Sequence, residues 1–250
     1  MTSYLAAARH PWACLLFLLP LLAAYEAGVV WLGGANPSAL RNGADAWLRW
    51  GLERYGFGQL YAAPAIVLGV FVLRAVAERK TRPKEPVATL FGMLVESAAF
   101  AVVLWAFSRN FPAILQQLGV MLNVPAVQFR QPAAAQLVTY VGAGIYEEVI
   151  FRLGLFSVAV FLLRLVLFPT VVAVPVAGLG AAVTFAAAHH VGANGEWPIN
   201  PMVFAFRLIA GVYFTAIYVA RGFGVAVGAH AGYDILVGVV VQPAAPGPPG

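Results

Sequence analysis

Polar residues are thin along this chain, and the apolar runs between them are long. Trp12 to Leu32 carries a single charge, Glu26, and Leu60 to Leu73 carries none. Val87 to Phe107 holds only Glu96, Val171 to His190 no charged residue, Met202 to Ala220 only Arg207, and Gly224 to Val241 only Asp234. An apolar helix of about 20 residues crosses about 30 Å of hydrocarbon, so each run predicts a membrane span, the Leu60 run being short. Ala133 to Phe168 has no proline and is apolar apart from Glu147, Glu148, Arg152 and Arg164. As one helix it would be about 50 Å long, too long for one untilted crossing. It is therefore either one tilted span that projects or two helices. Asn36 to Gly58 mixes Trp47, Leu48, Trp50, Leu52, Tyr55 and Phe57 with Arg41, Arg49 and Arg54, the pattern of an interfacial amphipathic segment. Ser108 to Gln131, with Pro112 and Pro125, is expected to be irregular and to hold a helix lying on the membrane. The fold class is all-α: a polytopic membrane helix bundle of seven or eight transmembrane helices plus interfacial segments.

Composition closes off the alternatives. Of the 250 residues 62% are hydrophobic and only 10% charged, with a mean hydropathy of +0.83. A soluble domain uses about 25% charge to cover its surface, so lipid must solvate most of this one. The net charge of +5 would suit nucleic acid, but Arg74, Arg79, Lys80, Arg82 and Lys84 crowd into one short loop. That is the mark of a cytoplasmic loop under the positive-inside rule, and no basic stripe interleaved with surface aromatics is present. Cys14 is the only cysteine and lies in an apolar run, which excludes an intramolecular disulfide and a thiolate metal cluster. Arg9 and His10 precede the first run as in a signal peptide, but no clean small-x-small cleavage site follows, so a retained helix is expected. The tail, QPAAPGPPG, reads as disordered. The organisation expected is 1–131 as N-terminal membrane helices, 132–241 as a C-terminal membrane core and 242–250 as the tail. No internal repeat is visible.

Ionisable residues inside apolar runs cost roughly 2.5–3.5 kcal/mol or more each and are functional candidates by default. Most of them lie in the C-terminal half, with three of the four histidines. In Glu147-Glu148-Val149-Ile150-Phe151-Arg152, Glu148 and Arg152 are four apart and share a helix face, so they can pair. Glu147 is rotated about 100° from Glu148 and has no partner at helical spacing. An unpaired, desolvated carboxylate suits a general base working near neutral pH. The spacing divides the labour, Glu148 and Arg152 bracing while Glu147 acts; a structural ion-pair network is the competing reading. Phe185 and His189 share a face, and a neutral imidazole there could hold water against a carboxylate or bind a metal, whereas His190 fits an interfacial role. His230 and Asp234 are again four apart, among Gly228, Ala229, Ala231 and Gly232, which favour close helix packing. Asp234 could fix the tautomer of His230, accept from a substrate, or join a metal shell.

These three motifs, in this order, resemble the CPBP family of intramembrane proteases, the Abi or type II CAAX prenyl endopeptidase-like family, whose pattern is EExxxR, FxxxH and HxxxN or a close variant. The resemblance covers about Ala133 to Val240. It implies hydrolysis of a peptide bond in a membrane-associated protein or lipidated peptide. Glu147 and His189 would activate water, and His230 with Asp234 would stand at the oxyanion site, supported by Glu148, Arg152 and Phe185. It favours a glutamic type with no cofactor; the alternative is a divalent metal such as zinc on Glu147, His189 and His230. Asp234 departs from the commonest form of the motif, which has asparagine, and a carboxylate has no donor for an oxyanion unless protonated. His230 is then the expected donor, with Asp234 orienting it. An integral protein of a bacterial inner membrane is expected, with no nucleic-acid partner.

Counting raises one difficulty. With seven spans, Glu147 and His230 fall in the cytoplasmic half while His189 nears the opposite surface. With eight, Glu147 and His189 lie together and His230 begins from the other side. Two rival functions use the same residues: a non-catalytic immunity or scaffold protein that keeps the fold, and a transporter or proton relay built on Glu26, Glu96, Glu147 and the histidines.

Overall fold

The computed structural model describes residues 4–58, 61–119, 132–191 and 197–240. Helices make up the described chain, with no strand among the described residues. In order they are α1 (Tyr4–Arg9), α2 (Pro11–Gly33), α3 (Gly43–Glu53), α4 (Ala62–Ala77), α5 (Pro86–Gln117), α6 (Ala133–Glu148), α7 (Ser157–Leu165), α8 (Thr170–Ala188), α9 (Pro201–Arg221) and α10 (Phe223–Ile235). By length and composition α2, α5, α8 and α9 can each cross a membrane, while α4 and α10 are apolar but shorter. Outward-facing Val172, Val176, Leu179 and Val183 on α8, and Leu94, Val95, Val102 and Val103 on α5, give these helices the apolar exterior that lipid solvates. The chain is an integral membrane helix bundle.

The long segment does not divide. A π-helical stretch, Val149–Phe156, joins α6 to α7 in one helical rod from Ala133 to Leu165. The count is therefore seven apolar helical segments among the described residues, this rod included. The expected mismatch of depth disappears with it. From Glu147 to Phe168 is 21 residues (168 − 147), and from Phe168 to His189 is again 21 (189 − 168). In an antiparallel hairpin turning near Phe168, both side chains stand about 30 Å from the turn. Counting from Ala133 misplaced Glu147 because the rod is longer than α8 and its first turns continue past the end of that helix.

Small residues decide which helices meet. On α10, Gly224, Gly228 and Gly232 repeat every fourth residue and face Met93, Ser97 and Ala101 of α5, also four apart, so the two helices run parallel. A Cβ on Gly224 would lie 2.5 Å from Met93 Cε, and one on Gly232 3.1 Å from Ala101 Cβ. On α6, a Cβ on Gly144 would stand 2.7 Å from Ala231 Cβ and 2.9 Å from the Val227 carbonyl of α10. Without a hydrophobic drive between helices in lipid, such close approach supplies the packing. α10 is thus held between α5 and α6, and α8 between the rod and α9.

Two expectations change. Ser108 to Gln117 is the end of α5 rather than an irregular segment, and Pro112 lies inside the helix. Phe107 and Phe111 pack on Phe206 of α9, with ring centroids at 6.4 and 5.7 Å, and this tertiary contact outweighs the proline's preference for a break. The segment beyond Gly119, the polar turn at Asn194 and Glu196, and the tail at 242–250 lie outside the described residues. Glu26 and Glu96 are paired. Glu26 meets Arg41 (3.1 Å), Arg49 (2.9 Å) and the Tyr146 hydroxyl (2.8 Å), while Asp45 meets both arginines at 2.6 Å and Tyr25 at 2.7 Å. This network fastens α3 to α2 and α6. Glu96 pairs with Arg221 at 2.6 Å.

The bundle has two distinct ends. His10 Nε2, at the start of α2, meets the Glu78 carbonyl (3.2 Å) and Thr81 Oγ1 (3.3 Å) between α4 and α5, and Arg9 Nε donates to Ala220 O (2.7 Å) near the end of α9. Gly222, with φ at 92°, turns α9 directly into α10 there. This is the end that carries the basic loop. At the far end are Gly33, the 3₁₀ turn Pro37–Leu40, α3, and the last turns of α8 and α10.

Candidate active site

Glu148 and Arg152 are almost wholly buried, which in an apolar bundle is tolerable only when each charge is met. Arg152 Nη1 lies 3.0 Å from Glu148 Oε1, the pair that the four-residue spacing predicts. Arg152 Nη2 donates to the Gly211 carbonyl of α9 at 3.1 Å. Its guanidinium sits 4.6 Å from the Phe185 ring centroid and 5.5 Å from that of Phe214, so two aromatic faces complete its surroundings. Glu148 Oε1 also takes His230 Nδ1 at 2.8 Å. A carboxylate oxygen accepts, so the proton of that contact is on Nδ1. His230 is stacked on Phe214, with centroids 4.4 Å apart and planes 13° apart. The ring is thus fixed from Glu148 and Phe214, whereas Asp234 Oδ2 stands 3.7 Å from the other nitrogen, Nε2, beyond hydrogen-bond length.

His189, at the C-terminal cap of α8, is fixed the same way from behind. Its Nδ1 is 2.9 Å from the Phe185 carbonyl, which can only accept, and its ring meets Phe185 edge-on at 5.0 Å. The proton on Nδ1 leaves Nε2 of the neutral ring as an acceptor. That atom is 4.0 Å from Glu147 Oε2, and His230 Nε2 is 3.7 Å from the same oxygen. Both gaps are too long for a direct bond and suit a single water oxygen at about 2.8 Å from each group. The α6 helix therefore turns Glu148 into the protein and Glu147 toward open space, and α8 and α10 deliver one imidazole each beside it. His190 points elsewhere, stacked 6.0 Å from Phe204.

Glu147, His189, His230 and Asp234 share a cavity of about 570 Å³ that extends to the far end, where Leu40, Arg41 and Asn42 form part of its wall. A second cavity of about 160 Å³, bordered by Trp47 and Phe151, reaches Glu147 and His189 from the α3 side. Several lining residues had no clear signal in the sequence: Tyr140, Tyr233, Phe206 and Phe214, and the loop before α3. Arg207 was visible as an intramembrane charge, and its place in the large cavity follows from its position on α9, one turn from Val203 and Ala210. Among the described residues no group of three or more His, Cys, Asp or Glu side chains stands in a metal-holding arrangement.

Residues 129–236 match the family model described as type II CAAX prenyl endopeptidase Rce1-like. That segment, less than half of the chain, is similar to the Rce1-like family. No curated protein and no solved structure matches the chain. The Rce1-like segment contains Glu147, Glu148, Arg152, Phe185, His189, His230 and Asp234, and it stops short of α1 to α5. The family that this segment resembles is one of membrane endopeptidases.

Proposed function

We propose that the protein is an intramembrane endopeptidase of glutamic type, with residues 132–241 as its catalytic core. The observation that carries the reading is the gap between Glu147 Oε2 and His189 Nε2, two acceptors 4.0 Å apart on the wall of a cavity. A water between them donates one hydrogen to each, which leaves an oxygen lone pair free for attack. That oxygen adds to the scissile carbonyl carbon while Glu147 takes a proton. The electron pair of the C=O bond moves onto the carbonyl oxygen. His230 faces carboxylates with both nitrogens, Glu148 at Nδ1 and Glu147 and Asp234 at Nε2, an environment matched to an imidazolium. Its Nε2–H is then the donor to the oxyanion. Collapse breaks the C–N bond, and Glu147 returns its proton to the leaving nitrogen, giving a carboxylic acid and an amine. The smaller cavity supports the reading by offering water a way to Glu147 and His189 when the larger one is filled by substrate. The substrate is a membrane-associated protein or lipidated peptide.

The test compares protein termini, by mass spectrometry, in membranes of cells carrying wild type or Glu147→Gln. The substitution keeps shape and removes the base. Specific cuts beside transmembrane segments that vanish in the variant support the reading and name the substrate. Identical profiles from folded, expressed proteins overturn it in favour of an immunity or scaffold role.

A further inference from the structure

Asn42 is the N-cap of α3, and its side-chain amide is only half used. Oδ1 accepts from the Asp45 backbone N–H at 3.0 Å, and turning the amide over would set two donors against each other, so the cap bond fixes which way it faces. Nδ2 is left over, with two hydrogens to give. It is buried, in a residue only 7% exposed, and has no hydrogen-bond partner among the described residues. A buried N–H without an acceptor is costly, so native structures supply one from protein, water or ligand. The carboxylates of Glu26 and Asp45 are already engaged by Arg41, Arg49, Tyr25 and Tyr146, and Arg41 itself can only donate.

Room for an acceptor lies in the large cavity, whose wall includes Asn42 together with Glu147, His189 and His230. The helices set the distance. Thr139 Oγ1 donates to the Leu40 carbonyl at 3.3 Å, so the loop meets α6 eight residues (147 − 139) before Glu147, about 12 Å along the axis. Gly43, Ala44 and Trp47 border the smaller cavity with Glu147 itself. Asn42 lies between these two levels. An extended chain advances about 3.3 Å per residue, so a polypeptide with its scissile carbonyl at Glu147 and running toward this loop brings a carbonyl to Asn42 within about four residues. A main-chain carbonyl is an acceptor that any peptide carries, whatever its side chains. We propose that Asn42 is a substrate-binding residue whose Nδ2 donates to a main-chain carbonyl of the substrate within about four residues of the scissile bond. The inference rests on the protease reading. It gives the loop before α3, which lies outside residues 129–236, a direct part in holding the substrate.

Serine and aspartate cap helices as well as asparagine does, so Asn42→Ser and Asn42→Asp keep the bond to Asp45 N–H. The first shortens the side chain and loses the reach of Nδ2; the second puts an oxygen in its place, which repels a carbonyl. The purified full-length proteins are assayed on synthetic peptides spanning a cut that is lost in Glu147→Gln membranes. Both variants are expected to melt close to wild type and to raise KM about tenfold, with kcat within about threefold. A second set of peptides carries an ester at one backbone bond at a time within four residues of the cut, which weakens one carbonyl as an acceptor. One position is expected to raise KM in wild type and to cost nothing further in Asn42→Ser, a coupling that a merely structural asparagine does not produce. KM within twofold of wild type in both variants, or ester effects identical in wild type and Asn42→Ser at every position, overturns the proposal and leaves the protease reading standing. If no cut is lost in Glu147→Gln membranes, the protease reading fails and the proposal falls with it. Should Asn42→Ser fail to accumulate, Asn42→Asp carries the same comparison; should neither accumulate, the ester series on wild type decides, and a flat profile overturns the proposal.

Discussion

Replacing Arg152 by methionine keeps an unbranched apolar stem and removes the guanidinium with its charge. The structure says what remains: Glu148, fully buried and bonded to His230, and a Gly211 carbonyl without its donor. Breaking a buried pair by removing one partner costs about 3–5 kcal/mol, because the surviving charge is left without compensation. Domains are stable by only about 5–15 kcal/mol, so Arg152→Met is expected to remove about a fifth or more of the total. At about 2–4 °C per kcal/mol for a chain of this size, the melting temperature in detergent falls by on the order of 10 °C. Glu148→Gln alone is expected to cost a comparable amount, since it leaves the buried Arg152 guanidinium without its carboxylate, even though a glutamine oxygen still accepts from His230 Nδ1. The decisive variant is the double. With Glu148 already neutral, Arg152→Met leaves no buried carboxylate behind, and its cost is expected to drop by at least about 1.5 kcal/mol. Thermal unfolding of the four proteins measures the coupling. If Arg152→Met costs the same in both backgrounds, within about 0.5 kcal/mol, the two residues are energetically independent and the brace is refuted.

Other outcomes follow from the same geometry. His230→Ala is expected to lower the cleavage rate about 10²–10³-fold, the usual loss for an oxyanion donor, while Asp234→Asn stays within a few-fold of wild type; loss of activity in Asp234→Asn with His230→Ala intact would invert the roles. His189→Ala is expected to cost about 10²–10⁴-fold in rate, and prolonged treatment with a metal chelator to cost nothing; a chelated enzyme restored by zinc would establish the metal-dependent alternative. Gly144→Val places two extra methyl groups where even a Cβ stands 2.7 Å from Ala231, so it is expected to separate α6 from α10, with a stability loss of at least about 1–3 kcal/mol and loss of cleavage.

The sequence showed the fold and the motif residues for a physical reason: in lipid, charge is so costly that each buried ionisable residue stands out against its run. The four-residue spacings of Glu148 with Arg152 and of Phe185 with His189 both became contacts, because helical geometry is local. His230 with Asp234 shows the limit of the same rule. Their spacing suggested that Asp234 fixes the ring, yet the bond to Nδ1 comes from Glu148, 82 residues away. Periodicity names neighbours on one helix and says nothing of which neighbour on another helix comes closer. The π-helical stretch after Glu148 was equally invisible, since nothing in Val149 to Phe156 breaks the apolar pattern. Pro112 misled because its local preference was set against aromatic packing that only the tertiary fold supplies.

The paired state of Glu26 and Glu96 also bears on the rival functions. A proton relay needs carboxylates that can change charge and stand within reach of one another. Glu26 is tied to two arginines and Tyr146, and Glu96 to Arg221, so either proton uptake would first have to break an ion pair. Glu147 differs from both. It faces open cavity, its nearest nitrogens stand at 3.7 and 4.0 Å, and each belongs to an imidazole already held at its other nitrogen. A scaffold could keep the buried Glu148–Arg152 brace for stability alone. It would have no use for two separately anchored histidines that leave room for one water against a carboxylate with no direct hydrogen bond among the described residues, and that feature weighs for catalysis over an inert relative of the same fold.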